Sequence, residues 1–142
     1  MTDSFVSRSQ ISLASAQELI AAAVTHASTI GIAICVVVAD GAGNVIASAR
    51  MDDAPLGAMR LATDKAYTAT LWQIPSGDLR LSSQPGGDDW GVTSTEGGRI
   101  VVYEGGLPVF ADTGLAGAVG VSGGTGAQDA ECAQTAITAV LS

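Results

Sequence analysis

The chain reads GIAICVVVAD over residues 31–40 and GAGNVIASAR over residues 41–50. The run from 32 to 39 is apolar and rich in β-branched residues, and its length suits a strand buried on both faces better than a helix. Asp40 and the glycines after it favour the positive φ angles of a tight hairpin loop. The segment 45–50 returns as a second strand, so the stretch predicts a β-hairpin whose end delivers Arg50 to a strand-to-helix junction.

Three helices are predicted around this hairpin, from capping residues and from the spacing of apolar side chains. Ser15 and Glu18 fit a capping box that opens the first helix, and Gly31 ends it. Pro55 is tolerated in the first turn of a second, alanine-rich helix. The predicted helices span residues 15–30, 56–71 and 127–141.

Three further strands and one long irregular segment complete the predicted fold. The strands span residues 99–103, 107–111 and 115–121. Residues 73–98 contain prolines, glycines and Trp90, and so long an irregular segment in a compact domain is usually a functional or binding loop. Residues 1–10 are polar and are predicted to be a flexible arm. The order of elements predicts one domain over residues 1–142, of the α/β (α+β) class, built as a layered sandwich.

Charge and cysteine usage exclude several classes of partner. The net charge is −8, with one lysine and five arginines, which argues against nucleic acid or an anionic membrane because both need a basic surface. No apolar run approaches the ~18 residues that cross a bilayer, and no signal peptide is visible. Cys35 and Cys132 lack metal-type spacing and are interpreted as core thiols of a reducing compartment. We therefore expect a cytoplasmic protein.

Several motifs in a fixed order resemble those of one known family. They are VVVADGAGNVIASARMDDAP from residue 36, ATDKAYTA from residue 62, and the short glycine motifs QPGG, GGRI, GGLP and GAVGVSGG further on, followed by Gln128 and Asp129. Together they resemble the GlcG/HbpS family of haem-binding or "haem-degrading" domains, also found at the C-terminus of PduO-type proteins. The resemblance implies a profilin-like sandwich with a central five-stranded antiparallel sheet, a haem or tetrapyrrole ligand, and a homo-oligomer.

His26 is the only histidine, so it is the only imidazole available to ligate a haem iron. The alternative is a polar residue near a helix C-terminus, where the helix dipole favours it. The resemblance favours the ligand role, because some family members use a histidine in the first helix. His26 is therefore the candidate axial ligand of a haem cofactor.

Three charged residues are candidates for a small-molecule site. Lys65, the sole lysine, is either solvated, as most lysines are, or desolvated and able to hold a carboxylate or to act as an acid or base. Arg50 can bind a carboxylate or a haem propionate bidentately, or it can pair with a neighbouring aspartate to fix the turn. Asp129 lies in the first turn of the last helix and complements its dipole. If the protein is an enzyme, these three are its predicted catalytic residues.

Glycine-rich strand ends supply the other candidate binding residues, because glycine lets a ligand approach the backbone closely. These are Gly105, Gly106, Ser122 and Gly123. We predict that Gly105, Gly106 and Ser122 border one pocket with Arg50, Lys65 and Asp129, completed by a second subunit. The glycine loop over residues 122–126 lacks the ending of a P-loop, so nucleotide binding is disfavoured.

Two classes of function remain open on the sequence. The first is a haem- or tetrapyrrole-binding protein. The second is an enzyme of the hydratase, isomerase or hydrolase type, acting on a carboxylate-bearing metabolite in a pocket at an oligomer interface. The chain contains no HExxH or CxxC motif and no Ser-His-Asp order. A metal held directly by protein side chains is also disfavoured, because one histidine and two separated cysteines make a poor ligand set.

Overall fold

A computed structural model describes residues 3–141 of the chain. The main elements are α1 Leu13–Thr29, β1 Cys35–Asp40, β2 Val45–Arg50, α2 Ala58–Trp72, β3 Gly106–Ala111, β4 Gly114–Ser122 and α3 Gly126–Leu141. Short 3-10 helices at Ser76–Leu79, Val92–Ser94 and Glu96–Gly98 interrupt the long segment between α2 and β3. None of the helices in the described part of the chain combines the length and the apolar character that a membrane crossing requires.

The four strands form one antiparallel sheet in the order β2-β1-β4-β3. Side chains of β1 alternate between its two faces. Val36 and Val38 belong to the core shared with α1 and α3, whereas Cys35 and Val37 belong to the core shared with α2. The fold is therefore a three-layer α/β sandwich, with α2 on one face of the sheet and α1 and α3 on the other.

Helix α2 packs directly on a pair of glycines in the middle of the sheet. Gly106 on β3 is paired with Gly120 on β4. A methyl group added at Gly120 would collide with the backbone oxygen of Ala62, and one added at Gly106 would collide with the backbone oxygen of Lys65. The sheet therefore has no side chains at the two positions where the backbone of α2 comes closest, and Lys65 is brought next to the ends of β3 and β4.

The predicted hairpin is confirmed, with β1 and β2 paired in antiparallel register. The Asp40 carboxylate holds its turn by accepting the backbone N–H groups of Ala42 and Asn44, each at 2.9 Å. The predicted start of α1 is wrong by two residues. Ser12, not Ser15, is the N-cap, and its hydroxyl accepts the N–H of Ser15 at 3.0 Å.

The predicted five-stranded sheet is also wrong, because residues 99–103 do not form a strand within the described part of the chain. Ile100 is buried, as the apolar pattern suggested. However, the N–H of Val101 donates to the Thr68 hydroxyl at 3.0 Å, and the carbonyl of Tyr103 accepts the Ser76 hydroxyl at 2.6 Å. Side chains from α2 and the 3-10 segment thus satisfy backbone groups that a fifth strand would have paired.

Part of the predicted N-terminal arm contacts the turn between β3 and β4. The N–H of Ser9 donates to the Thr113 hydroxyl at 3.0 Å. Directly after the arm, the N–H of Ile11 donates to the carbonyl of Ala116 in β4 at 3.2 Å. Met1 and Thr2 of that arm lie outside the described residues. The flexibility of residues 1–10 and the single domain over residues 1–142 stay predictions.

Candidate functional site

Lys65 and Asp129 meet as a buried ion pair at the end of the sheet. The Lys65 Nζ lies 2.9 Å from the Asp129 Oδ2, and each side chain is only 3% exposed. The ammonium also donates to the carbonyl of Val121 at 2.9 Å, and the Asp129 Oδ1 accepts the N–H of Gly124 at 2.8 Å. One pair of side chains thus ties α2, the end of β4 and the start of α3 together.

Gly105 makes room for this ion pair. Its φ is +129°, a conformation that L side chains rarely adopt. A methyl group at this position would collide with the carbonyl oxygen of Val121 and would lie 2.9 Å from the Lys65 Nζ and 3.0 Å from the Asp129 Cβ. The glycine predicted at a strand end is therefore required by its backbone angle, by the backbone of β4 and by the two charged side chains beside it.

The ion pair forms one wall of an open cleft with a volume of about 530 Å³. That volume is within the range of small-molecule sites. The cleft is lined by Leu61, Lys65, Arg80, Gln84, Val102, Tyr103, Glu104, Ser122, Gly124, Gly126, Ala127 and Asp129. The long segment after α2 supplies Arg80 and Gln84, so part of the predicted binding loop does line a cavity. Trp90 of the same segment lies outside the lining and is 67% exposed.

A second cavity of about 560 Å³ lies at the opposite end of the sheet, among the N-terminal arm and the two hairpin turns. It is lined by Arg8, Ser9, Gln10, Asp40, Gly41, Ala42, Gln73, Thr113, Gly114 and Leu115. None of its charged residues is buried, and the Asp40 carboxylate is used in the turn of the hairpin. We therefore take the cleft beside Lys65 as the candidate site.

A second polar cluster lies on α2, and the i,i+4 spacing of Arg60 and Asp64 in the sequence signals one part of it but not its burial. Asp64 is 4% exposed, and its carboxylate accepts the Nε of Arg60 at 2.8 Å and the Nε of Arg99 at 3.1 Å. The Arg99 guanidinium lies 3.7 Å from the ring centroid of Tyr67. The Tyr67 hydroxyl donates to Glu96 at 2.9 Å, and this hydrogen bond is the main reason that the pKa of Tyr67 is raised. These contacts attach the irregular segment before β3 to α2.

His26 lies on another side of α3 from the cleft. Its Nε2 is 2.9 Å from the Glu131 Oε1, and the two side chains are 22% and 54% exposed. Asp129, which faces the cleft, and Glu131 are two positions apart, which is about 200° around a helix. The predicted iron ligand and the predicted pocket are therefore two separate places on one chain.

The structure does not bring Arg50 into the cleft lining. Arg50 ends the edge strand β2 and pairs with Cys35, which pairs in turn with Ser122 on β4. At about 4.8 Å per strand, Arg50 and Ser122 are about 10 Å apart across the sheet. Burial raises the pKa of the Cys35 thiol, and the positive charge of Arg50 offsets part of that rise, which indicates that Arg50 lies near Cys35.

The remaining glycines of the predicted site have structural contacts. Gly106 donates its N–H to the buried Ser76 hydroxyl at 2.9 Å. Gly123, with φ +140°, packs against the backbone of Ala33 on the other side of β4. Among the candidate residues, Lys65, Ser122 and Asp129 line the cleft and Gly105 contacts two of them, whereas His26, Arg50 and Gly123 lie elsewhere.

Two cleft residues had no distinguishing signal in the sequence. Arg80 and Glu104 are both exposed at the cleft, and neither forms an ion pair within residues 3–141. Arg80 belongs to the irregular segment, where no periodicity indicates a facing direction. No group of three metal-binding side chains is present in the described part of the chain.

Comparison with known proteins identifies the family of this chain. The sequence profile of the family described as "Haem degrading protein HbpS-like" matches residues 11–138. The chain belongs to the HbpS-like family. The resemblance drawn from the ordered glycine motifs is thereby confirmed.

Individual relatives of this HbpS-like chain agree with that assignment. It is 38% identical, over 112 residues, to an uncharacterized 15.0 kDa protein of the dhaT-dhaS intergenic region in Citrobacter freundii, with 79% of each chain covered. It is similar to Klebsiella pneumoniae protein ORFY with a TM-score of 0.94, at 34% identity over 97% of this chain and 95% of that one. It is similar to the PduOC:heme complex with a TM-score of 0.89, at 34% identity over 93% and 96%.

Proposed function

We propose that this protein binds haem. The observation that carries the proposal is its similarity, at a TM-score of 0.89 and 34% identity, to a protein whose solved structure is a haem complex. Membership of a family described as haem-degrading supports the same ligand. When bound, haem supplies an iron centre whose chemistry is set by its axial ligand and by the polarity of its surroundings.

His26 is the proposed axial ligand. It is the only imidazole in the sequence, and at 22% exposure its side chain is open to solvent. Histidines that bind metals almost always use their second ring nitrogen in a hydrogen bond that fixes the ring, often to a carboxylate. Glu131, 2.9 Å from the Nε2, is a carboxylate in that position. The residues present therefore fit a haem held through one oriented imidazole.

A haemin titration followed by gel filtration tests the proposal. The wild type is expected to retain a Soret band through the column, and His26→Ala is expected to shift or lose it. Thr25→Ala, an exposed neighbour on α1, is the matched control and should keep the wild-type spectrum. A wild type that elutes without a Soret band would refute haem binding. An unchanged spectrum in His26→Ala would show that His26 is not the axial ligand, but it would not refute haem binding.

We also propose a homo-oligomer in the cytoplasm. Large apolar side chains are exposed on the isolated chain, among them Phe5 at 89%, Leu56 at 88% and Leu81 at 85%. Contiguous exposed apolar patches mark protein–protein surfaces, and a second copy of the chain could cover such side chains. Cys35 and Cys132 are free, buried thiols, which suits a reducing compartment. Light scattering that gives one chain mass at micromolar concentration would refute the oligomer.

The enzyme alternative has less support. A general acid or base must be free to exchange a proton with the substrate. Lys65 and Asp129 pair with each other, and each has a further hydrogen bond to the backbone. Arg50, the third predicted catalytic residue, does not line the cleft with them. Haem binding therefore stands as the proposed function.

A further inference from the structure

One hydroxyl without a protein partner lies on the wall of the cleft beside Lys65. Ser122 is 5% exposed and lines the cleft, and its hydroxyl forms no hydrogen bond with any residue from 3 to 141. Among the described residues no fully enclosed side-chain oxygen or nitrogen lacks a hydrogen-bond partner, so this hydroxyl reaches the open cleft. A ligand in the cleft can accept its O–H in place of solvent.

Lys65 supplies a second donor at the same place. An ammonium group has three N–H donors. Two of them are used on the carbonyl of Val121 and the carboxylate of Asp129. The third has no acceptor among the described residues, and Lys65 lines the cleft together with Ser122.

The start of α3 adds backbone donors. The side chains of Thr125 and Gln128 cap the helix reciprocally, at 2.9 Å and 3.2 Å. The N–H groups of Gly126 and Ala127 have no acceptor within residues 3–141, and both residues line the cleft. A helix N-terminus carries partial positive charge and favours an anion. Together with the Ser122 hydroxyl, these amides give this wall of the cleft several hydrogen-bond donors.

Some charges around the cleft favour the binding of an anion, and others oppose it. The Asp129 carboxylate is neutralised by Lys65 at 2.9 Å. Arg80 lines the opening as an unpaired cation, and Glu104 lines it as an unpaired carboxylate within the described chain. Glu104 packs against the start of α3, since a methyl group at Gly126 would lie 3.2 Å from its Cβ. The negative charge of Glu104 therefore opposes an anion bound beside it.

We propose that this cleft binds a carboxylate group, held by the Ser122 hydroxyl, the free N–H of Lys65 and the first amides of α3. The Leu61, Val102 and Tyr103 side chains give the rest of the ligand an apolar surface. A ligand carboxylate with a short apolar body fits this arrangement. It can come from a free organic acid or from a propionate of haem. The site lies on a different side of α3 from His26 and does not depend on iron ligation there.

Benzoate binding, measured by calorimetry, tests the proposal, with benzamide as the uncharged probe. The wild type is expected to bind benzoate and not benzamide. Ser122→Ala is expected to weaken benzoate binding about tenfold, because a hydrogen bond to a charged group is lost. Its matched control is Ser48→Ala on the exposed edge strand, which should bind like the wild type. Ser122→Ala is expected to fold normally, because its hydroxyl has no protein partner.

Two charge variants supply an independent measurement. Glu104→Gln is expected to tighten benzoate binding about threefold, and Arg80→Gln to weaken it about threefold, in the range expected for partly exposed charges. Arg8→Gln removes the same charge at the opposite end of the sheet and should change nothing. Absence of benzoate binding by the wild type would overturn the proposal. So would equal affinities for the Ser122→Ala and Ser48→Ala variants.

Haemin and haemin dimethyl ester distinguish the two sources of the carboxylate. Displacement of benzoate by haemin, but not by its dimethyl ester, would identify a haem propionate as the natural occupant. Displacement by neither would identify a free organic acid. Either of these two results is consistent with a carboxylate site in the cleft. A failure of haem binding itself appears separately, as a missing Soret band in a protein that still binds benzoate.

Discussion

Replacing Lys65 by methionine removes the charge that pairs with Asp129 while keeping most of the apolar stem. Both side chains of this pair are 3% exposed. In the variant, the Asp129 carboxylate keeps only the N–H of Gly124, and the carbonyl of Val121 loses the ammonium. A buried charge is thus left without its counter-ion, which is among the most destabilising changes in a folded protein.

The expected loss of stability is about 3–5 kcal/mol, the cost of breaking one buried ion pair from one side. The two lost hydrogen bonds to the ammonium, at about 1.5–3 kcal/mol each, lead to a similar sum. An unfolding entropy of about 2.1 cal/mol/K per residue is about 0.3 kcal/mol/K for a chain of 142 residues. The melting temperature should therefore fall by about 10–17 °C.

Urea denaturation followed by circular dichroism measures the free energy of unfolding directly. The matched control is Arg60→Met, which breaks the pair with Asp64. The Arg60 side chain is 71% exposed and Asp64 keeps Arg99, so the control should lose no more than about 0.5 kcal/mol. The double variant Lys65→Met/Asp129→Asn should be more stable than Lys65→Met alone, because it no longer buries an unpaired charge.

Two outcomes would refute this reasoning. A loss for Lys65→Met as small as that for Arg60→Met would show that Asp129 is solvated or otherwise neutralised in the folded protein. A double variant less stable than Lys65→Met would show that the unpaired carboxylate is not the source of the cost. Either result would also weaken the view that Lys65 is held rigidly at the cleft.

Two further predictions concern buried groups. Ser76→Ala should lower the free energy of unfolding, measured in urea, by about 1–3 kcal/mol, because the hydroxyl bridges the carbonyl of Tyr103 and the buried N–H of Gly106. The exposed control Ser94→Ala should lose less, and equal losses would contradict the bridge. Burial raises the pKa of Cys132 from 9.0 to about 11, so the folded state holds this proton more tightly and stability should fall as pH rises between these values. Urea titrations at pH 8 and pH 10.5 should show that fall, and Cys132→Ala should reduce it; an unchanged pH dependence in the variant would contradict the assignment.

The predictions that held were those made from local pattern. The β-branched run of β1 and the loop after Asp40 need only neighbours in the chain, and both appear in the structure. The stop of α1 at Gly31, with φ +76°, also depends on one backbone angle. The family assignment rests on the same local motifs in a fixed order. Such features are determined within a few residues, so the sequence shows them directly.

Residues 99–103 show where local pattern fails. Their apolar character is that of a strand, and Ile100 is buried as a strand residue would be. Their backbone partners, however, are the hydroxyls of Thr68 and Ser76, which come from distant parts of the chain. Burial can be read from composition, but the hydrogen-bond partner of a buried backbone group depends on which elements are packed beside it.

The candidate site was determined in part by sequence and completed by tertiary structure. The sequence identified Lys65 as the sole lysine, inside the second helix, and Gly105, Ser122 and Asp129 as candidate residues at element ends. It left open whether Lys65 is solvated or desolvated, and the answer depends on a partner 64 residues away. Only packing of α2 on the paired glycines of β3 and β4 brings the ammonium to that carboxylate. The same packing separates His26 and Arg50 from the cleft, because long-range contacts, not spacing along the chain, decide which side chains share a surface.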